Sequence, residues 1–169
     1  MTNRQHVLLF PMPVFGHIFP LMELGRKISA YCDVTLAVSA KRVEQLRARR
    51  QAEKLESVYG VKLYAIDDGA DDIDMDDPEA PRKLVETLSK IQAAVKQLVE
   101  AIPSKSQPSN QLNILSVDHV IVDAFFSESI SDSLKRDLNF FHFHTTSTSK
   151  FISYRYFKLA HSVYFCCNI

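Results

Sequence analysis

Apolar positions fall in short blocks whose spacing alternates between that of strands and that of helices. His6–Phe10 (HVLLF) is a continuous apolar run bounded by Pro11 and Pro13, and it predicts a buried strand. Ile18, Leu21, Met22, Leu24 and Ile28 then recur at helical intervals, which predicts a helix over Ile18–Ala30. Asp33–Ser39 (DVTLAVS) is β-branched and strand-like. Ala40–Tyr59 is charged and helix-forming, and Gly60 is a natural C-cap for one helix over that span. Val61–Ile66 alternates as a third strand, and an acidic loop follows over Asp67–Pro81. Glu79–Ile102 is a long amphipathic helix with Leu84, Leu88, Ile91, Val95, Leu98 and Val99 on one stripe, ended by Pro103. Ser104–Asn113 is a polar linker. Asp118–Val122 predicts a fourth strand, Ser127–Leu138 a helix and Asn139–His144 a fifth strand.

Strands alternating with helices predict an α/β fold: a doubly wound, Rossmann-like parallel sheet with helices on both faces. Right-handed crossovers favour the strand order 3-2-1-4-5. In such sheets ligands bind beyond the carboxyl ends of the strands, where the winding direction reverses. That point lies between strands one and four. His17 follows strand one and Asp123 ends strand four, so the order brings them to one crevice. A histidine oriented by a carboxylate is a general-base arrangement. The competing role is local, with His17 near a helix cap and Asp123 capping the next helix. Thr145 and Thr146 end strand five next door and can donate hydrogen bonds to a phosphate or hydroxyl.

Composition narrows the function classes. The 169 residues suit one domain, and 46% apolar content rules against disorder. Twenty Lys and Arg balance 20 Asp and Glu, which argues against a nucleic-acid partner. Cys32, Cys166 and Cys167 form no disulfide framework and fit a reducing compartment. No apolar stretch reaches the roughly 20 residues of a membrane span, and the first apolar run is too short for a secretory signal. Phe151–Ile169 is an aromatic tail beyond a domain of residues 1–150.

The segment His6–Ile28, HVLLFPMPVFGHIFPLMELGRKI, resembles the opening of the family 1 UDP-glycosyltransferases: strand, Pro-containing loop, Gly-His, Pro, Leu-rich helix. Pro11, Pro13, Gly16, His17, Pro20 and Leu21 carry the match. Leu63–Gly69 (LYAIDDG) resembles the family's third strand and Asp-Gly turn, and Asp118–Ser149 its strand–Asp–helix–strand–Thr/Ser stretch. The resemblance implies the N-terminal lobe of a GT-B fold, with His17 as catalytic base, Asp123 as its partner and Thr145 as a donor-side contact. It implies transfer from a UDP-sugar co-substrate to a hydroxyl of a small lipophilic acceptor, with inversion, no metal and no other cofactor. Phe15, Phe125, Phe126 and Phe141 are candidates to line the acceptor pocket, with core packing the competing role of each.

The chain has no Trp and no His-x-Gly-x-x-Ser segment after residue 150, so the family's UDP-sugar-binding C-terminal domain is expected to be absent. A truncated gene model, a partial sequence or a splice product each gives this pattern, and the isolated chain is expected to be inactive. The family's animal members often carry a signal peptide and a membrane anchor; neither shows here, so a cytoplasmic protein is expected.

Other constellations weigh less. Asp72-Ile73-Asp74 lies among eight acidic residues between Asp67 and Glu79, where such a match arises by chance. An EF-hand starting at Asp72 fails, with Asp77 where Gly belongs and Lys83 where Glu belongs. Lys41, Arg42, Arg47, Arg49, Arg50 and Lys54 read as a solvated helix face. His142 and His144 share a strand face without a further ligand cluster nearby. Neither a dinucleotide fingerprint nor a P-loop is present. A non-catalytic small-molecule-binding module and an unrelated flavodoxin-like protein are the alternative readings.

Overall fold

The computed structural model describes residues 4–67, 77–102, 117–126 and 139–144. The expected helix Ser127–Leu138, the linker 104–113, Asp72–Asp74, Thr145, Thr146 and the tail 151–169 lie outside the described residues. Five strands form one parallel sheet: β1 His6–Phe10, β2 Asp33–Ser39, β3 Lys62–Ile66, β4 His119–Asp123 and β5 Asn139–Phe143. Their order is β3-β2-β1-β4-β5, as the crossover rule predicts. The helices are α1 Phe15–Ile28, α2 Ala40–Ala48, α3 Gln51–Tyr59 and α4 Ala80–Ala101.

All five residues of the central strand β1 are buried. Successive side chains point to opposite faces, so one apolar run feeds two cores. Val7 and Leu9 pack with Ile18, Leu21, Leu46 and Leu55 of α1–α3, beside Val34 and Leu36 of β2. Leu8 and Phe10 pack with Ile91, Val95, Leu98 and Val99 of α4, beside Val120 and Val122 of β4. Register holds β1 between its neighbours, with Leu9 opposite Leu36 on one side and Ile121 on the other.

The single helix expected over Ala40–Tyr59 is two helices. Arg50 is left-handed (φ 56°, ψ 17°) and breaks the run. Phase is the cause. Val43 and Leu46 of α2 are buried, and so are Ala52 and Leu55 of α3. Each pair member lies nine residues from its counterpart, and at about 100° per residue that is half a turn out of register. A straight helix turns Ala52 and Leu55 away from the sheet. One left-handed residue, at roughly 1–2 kcal/mol for a side chain other than Gly, restores their burial. At the other end, Gly60 is left-handed (φ 67°) as expected of a C-cap. Its N–H donates to Glu56 O, and the Val61 N–H reaches back to Leu55 O.

Candidate active site

After β1 the chain turns through Pro11–Val14, and α1 begins at Phe15, three residues ahead of the expected start. Its N-cap is Val14, which makes no side-chain cap bond, so the Ser, Thr or Asp that normally marks a helix start is missing. His17 is therefore the third residue of α1. Asp123 is the last residue of β4, one step past the Phe10–Val122 pairing. Val120 and Val122 face the α4 core, so alternation turns Asp123 to the face that carries α1.

There the two side chains meet. His17 Nδ1 lies 2.7 Å from Asp123 Oδ2, across 106 residues of chain. The Asp123 side chain is 3% exposed and that of His17 31%. Asp123 Oδ1 accepts the backbone N–H of Phe125 at 3.0 Å. Both carboxylate oxygens thus have donors, as a buried carboxylate requires. An ionised carboxylate only accepts hydrogen bonds, so the shared proton sits on His17 Nδ1. The neutral ring then carries its lone pair on Nε2. This is the tautomer of a proton acceptor, with a carboxylate that stabilises the imidazolium once the proton is taken up.

The candidate aromatics separate. Phe125 is 47% exposed, whereas Phe126 is fully buried in the α4 core. The 3₁₀ turn Ala124–Phe126 sends the adjacent rings in different directions, 5.5 Å apart and edge to face. Phe126 therefore packs in the core, the competing role for it. Phe141 sits mid-strand opposite Ile121 and packs on His119, away from the carboxyl edge. Phe15 is half-buried, stacked on Phe19 at 5.3 Å, with the guanidiniums of Arg49 and Arg42 at 4.4 and 5.5 Å from its ring centre. Arg42 Nε also donates to Pro13 O at 2.9 Å and its Nη1 to Gln45 Oε1 at 2.6 Å. These two arginines read as solvated in the sequence; their place at the head of α1 has no local signal. Thr145 lies outside the described residues; β5 ends at Phe143, opposite Asp123.

His142 Nδ1 is buried without a hydrogen-bond partner among the described residues, its ring edge to face with Phe140. Burial pushes its pKa down, with a smaller push from His144. Among the described residues no three His, Cys, Asp or Glu side chains lie close enough to hold a metal ion, and no helix is long and apolar enough to cross a membrane.

No family model matches the chain, and no curated protein matches it in sequence. Solved structures do match in fold. A UDP-glucose:anthocyanidin 3-O-glucosyltransferase in complex with UDP is 23% identical with a TM-score of 0.57, over 85% of this chain and 30% of its own. TcCGT1 in complex with UDP is 20% identical with a TM-score of 0.60, over 86% of this chain and 29% of its own. UGT89C1 of Arabidopsis thaliana complexed with quercetin is 20% identical with a TM-score of 0.51, over 83% of this chain and 35% of its own. The chain has the fold of the N-terminal lobe of these GT-B glycosyltransferases, and it spans about a third of their length.

Proposed function

We propose that this chain is the acceptor-binding, base-carrying half of a UDP-sugar-dependent glycosyltransferase. The observation that carries the reading is the His17–Asp123 pair at the switch point of the sheet. In the reaction, His17 Nε2 takes the proton of an acceptor hydroxyl. The acceptor oxygen forms a bond to the anomeric carbon of the sugar as the bond from that carbon to the UDP oxygen breaks. UDP leaves with the bonding electrons, and the anomeric configuration inverts. Asp123 keeps the ring in the required tautomer and offsets the imidazolium charge.

The likeness to glycosyltransferases solved with UDP and with quercetin supports a sugar-nucleotide donor and a small aromatic acceptor. Phe125, exposed beside Asp123, is the side chain best placed to meet an apolar acceptor. Thr145, two residues beyond β5, is the proposed donor-side contact. Donor binding is assigned to a part of the whole protein outside this chain, which covers about a third of the matched structures' length. No metal enters the scheme, and the reaction is placed in the cytoplasm.

Calorimetry with UDP and a phenolic acceptor, each titrated into the 169-residue chain, tests the division of labour. Acceptor binding without UDP binding is expected, together with no detectable transfer. Clear turnover by the chain alone, abolished in His17→Ala, overturns the half-enzyme reading. A Kd for the acceptor unchanged in His17→Ala, with no shift of the His17 ring resonances when the acceptor is added, overturns the placing of the hydroxyl.

A further inference from the structure

Three of the seven arginines among the described residues are matched to carboxylates. Arg4 lies beside Asp33, Arg26 pairs with Glu23, and Arg82 pairs with Glu79 and Glu86. Arg49 is held by a ring instead. It is exposed, it has no carboxylate partner among the described residues, and it is held at 4.4 Å over the Phe15 ring. Arg42 approaches the same ring at 5.5 Å and is fastened by its bonds to Pro13 O and Gln45 Oε1. Between Lys41 and Arg50 there are five cations and one carboxylate, Glu44. Two like charges gathered on one ring repel each other, and the left-handed Arg50 holds the corner that keeps Arg49 there. Stacking uses the face of a guanidinium, whereas its N–H donors lie in the plane. Arg49 thus presents a fixed fork at the head of α1.

We infer that this corner is an anion pocket, and that the acceptor carries a carboxylate or similar oxyanion remote from its reacting hydroxyl. The inference rests on the glycosyl-acceptor reading of His17. Phe15 and His17 open the same helix and point about 200° apart around it, so an acceptor that reaches both must lie across its end. Among the described residues nothing blocks that path: a Cβ at Gly16 would meet none of them within 4 Å, and Val14 is an exposed apolar residue. The hydroxyl sits at His17, the apolar body over Gly16 and Val14, and the oxyanion on Arg49 with Arg42 as second charge. This selects amphipathic aromatic acids over neutral phenols of the same shape.

The test uses two rigid probes that differ only in the anion, 4-hydroxybiphenyl and 4′-hydroxybiphenyl-4-carboxylate, titrated into the 169-residue chain. The affinity is read by calorimetry and the His17 ring by NMR. The carboxylate is expected to bind about tenfold tighter at low salt, with the advantage shrinking as salt is added. Arg49→Gln removes the advantage and leaves the neutral probe's affinity unchanged; Arg49→Lys keeps part of it, because the charge survives and the fork does not. Equal affinities for the two probes, or a preference that survives Arg49→Gln, overturn the anion pocket. So does an equal loss for both probes in Arg49→Gln, which marks Arg49 as packing alone. If the neutral probe shifts His17 while the preference is missing, the anion pocket fails and the acceptor site stands. If Arg49 captures the carboxylate with His17 unmoved, the inference fails as stated and so does the acceptor reading. Failure of both probes to bind at millimolar concentration overturns both.

Discussion

At the amino edge of the sheet, β1 opens on His6 beside Asp118, just ahead of β4. At the carboxyl edge the same two strands lead to His17 and Asp123. The residue types match, and the chemistry differs because different atoms meet. Asp118 Oδ2 accepts the backbone N–H of His6 at 2.9 Å, and the Asp118 N–H returns to His6 O. The His6 ring is buried, with Nε2 at 2.9 Å from Thr35 Oγ1. That pair is a staple between strand ends. At the other edge the carboxylate meets the ring itself, and the ring is partly exposed. A His and an Asp near the ends of neighbouring strands are therefore not a ring–carboxylate pair by identity. Contact through the ring, and access to it, make the difference.

The largest expected effect separates the two aspartates. In a protein that carries the donor-binding lobe, Asp123→Asn lowers the transfer rate by about 10³–10⁴-fold, because the proton no longer belongs on Nδ1. Asp118→Ala leaves the rate unchanged and lowers stability by about 1–3 kcal/mol, the penalty of an unsatisfied buried group. Rates and denaturant midpoints on both variants decide the matter; equal rate losses would erase the contrast between the edges.

Next in size is a test within the carboxyl edge. Phe126→Ala destabilises by about 3–5 kcal/mol through the cavity it leaves. Phe125→Ala, at an exposed ring, changes stability by less than about 1 kcal/mol and weakens the phenolic acceptor instead. Thermal melts set beside acceptor titrations give both readings, and a large stability loss in Phe125→Ala would remove it from the site.

A smaller effect concerns the α2–α3 corner. Arg50→Gly relieves the left-handed strain and raises stability by up to about 1 kcal/mol, offset in part by Gly entropy in the unfolded chain. A fall in the urea midpoint would show that the Arg50 side chain contributes more than its backbone strain removes.

The smallest effect is on pH. The pKa of His142 is lowered in the fold, so the unfolded chain takes up a proton first as the pH falls. Its contribution is complete above the ordinary value of 6.5 and is lost as the pH drops below it. The melting temperature therefore falls between pH 7.5 and 5.5, and falls less in His142→Phe. An identical drop in the variant assigns the acid sensitivity to another group.

Much of the fold is legible along the chain. Apolar runs mark the five strands, and the crossover rule orders them. The topology also predicts the meeting of His17 and Asp123, because one follows β1 and the other ends its neighbour β4. Three features resisted. The start of α1 carries no capping side chain. The break at Arg50 carries no Gly, Pro or Asn, and its trace is a phase slip between Val43–Leu46 and Ala52–Leu55. Phe125 and Phe126 are chemically identical neighbours, so composition cannot say which one turns inward.

What the sequence determined by itself is the set of local choices: where strands and helices lie, how the sheet is wound, and which edge collects the reactive side chains. These follow from periodicity and chain handedness, which act over a few residues at a time. The tertiary structure alone decided which atoms face each other. It aimed His17 Nδ1 at Asp123 Oδ2, buried Phe126 and not Phe125, and brought Arg42 and Arg49 to one ring. The reason is that such contacts depend on packing between elements distant in the chain, where an offset of one residue or half a helical turn reverses the outcome.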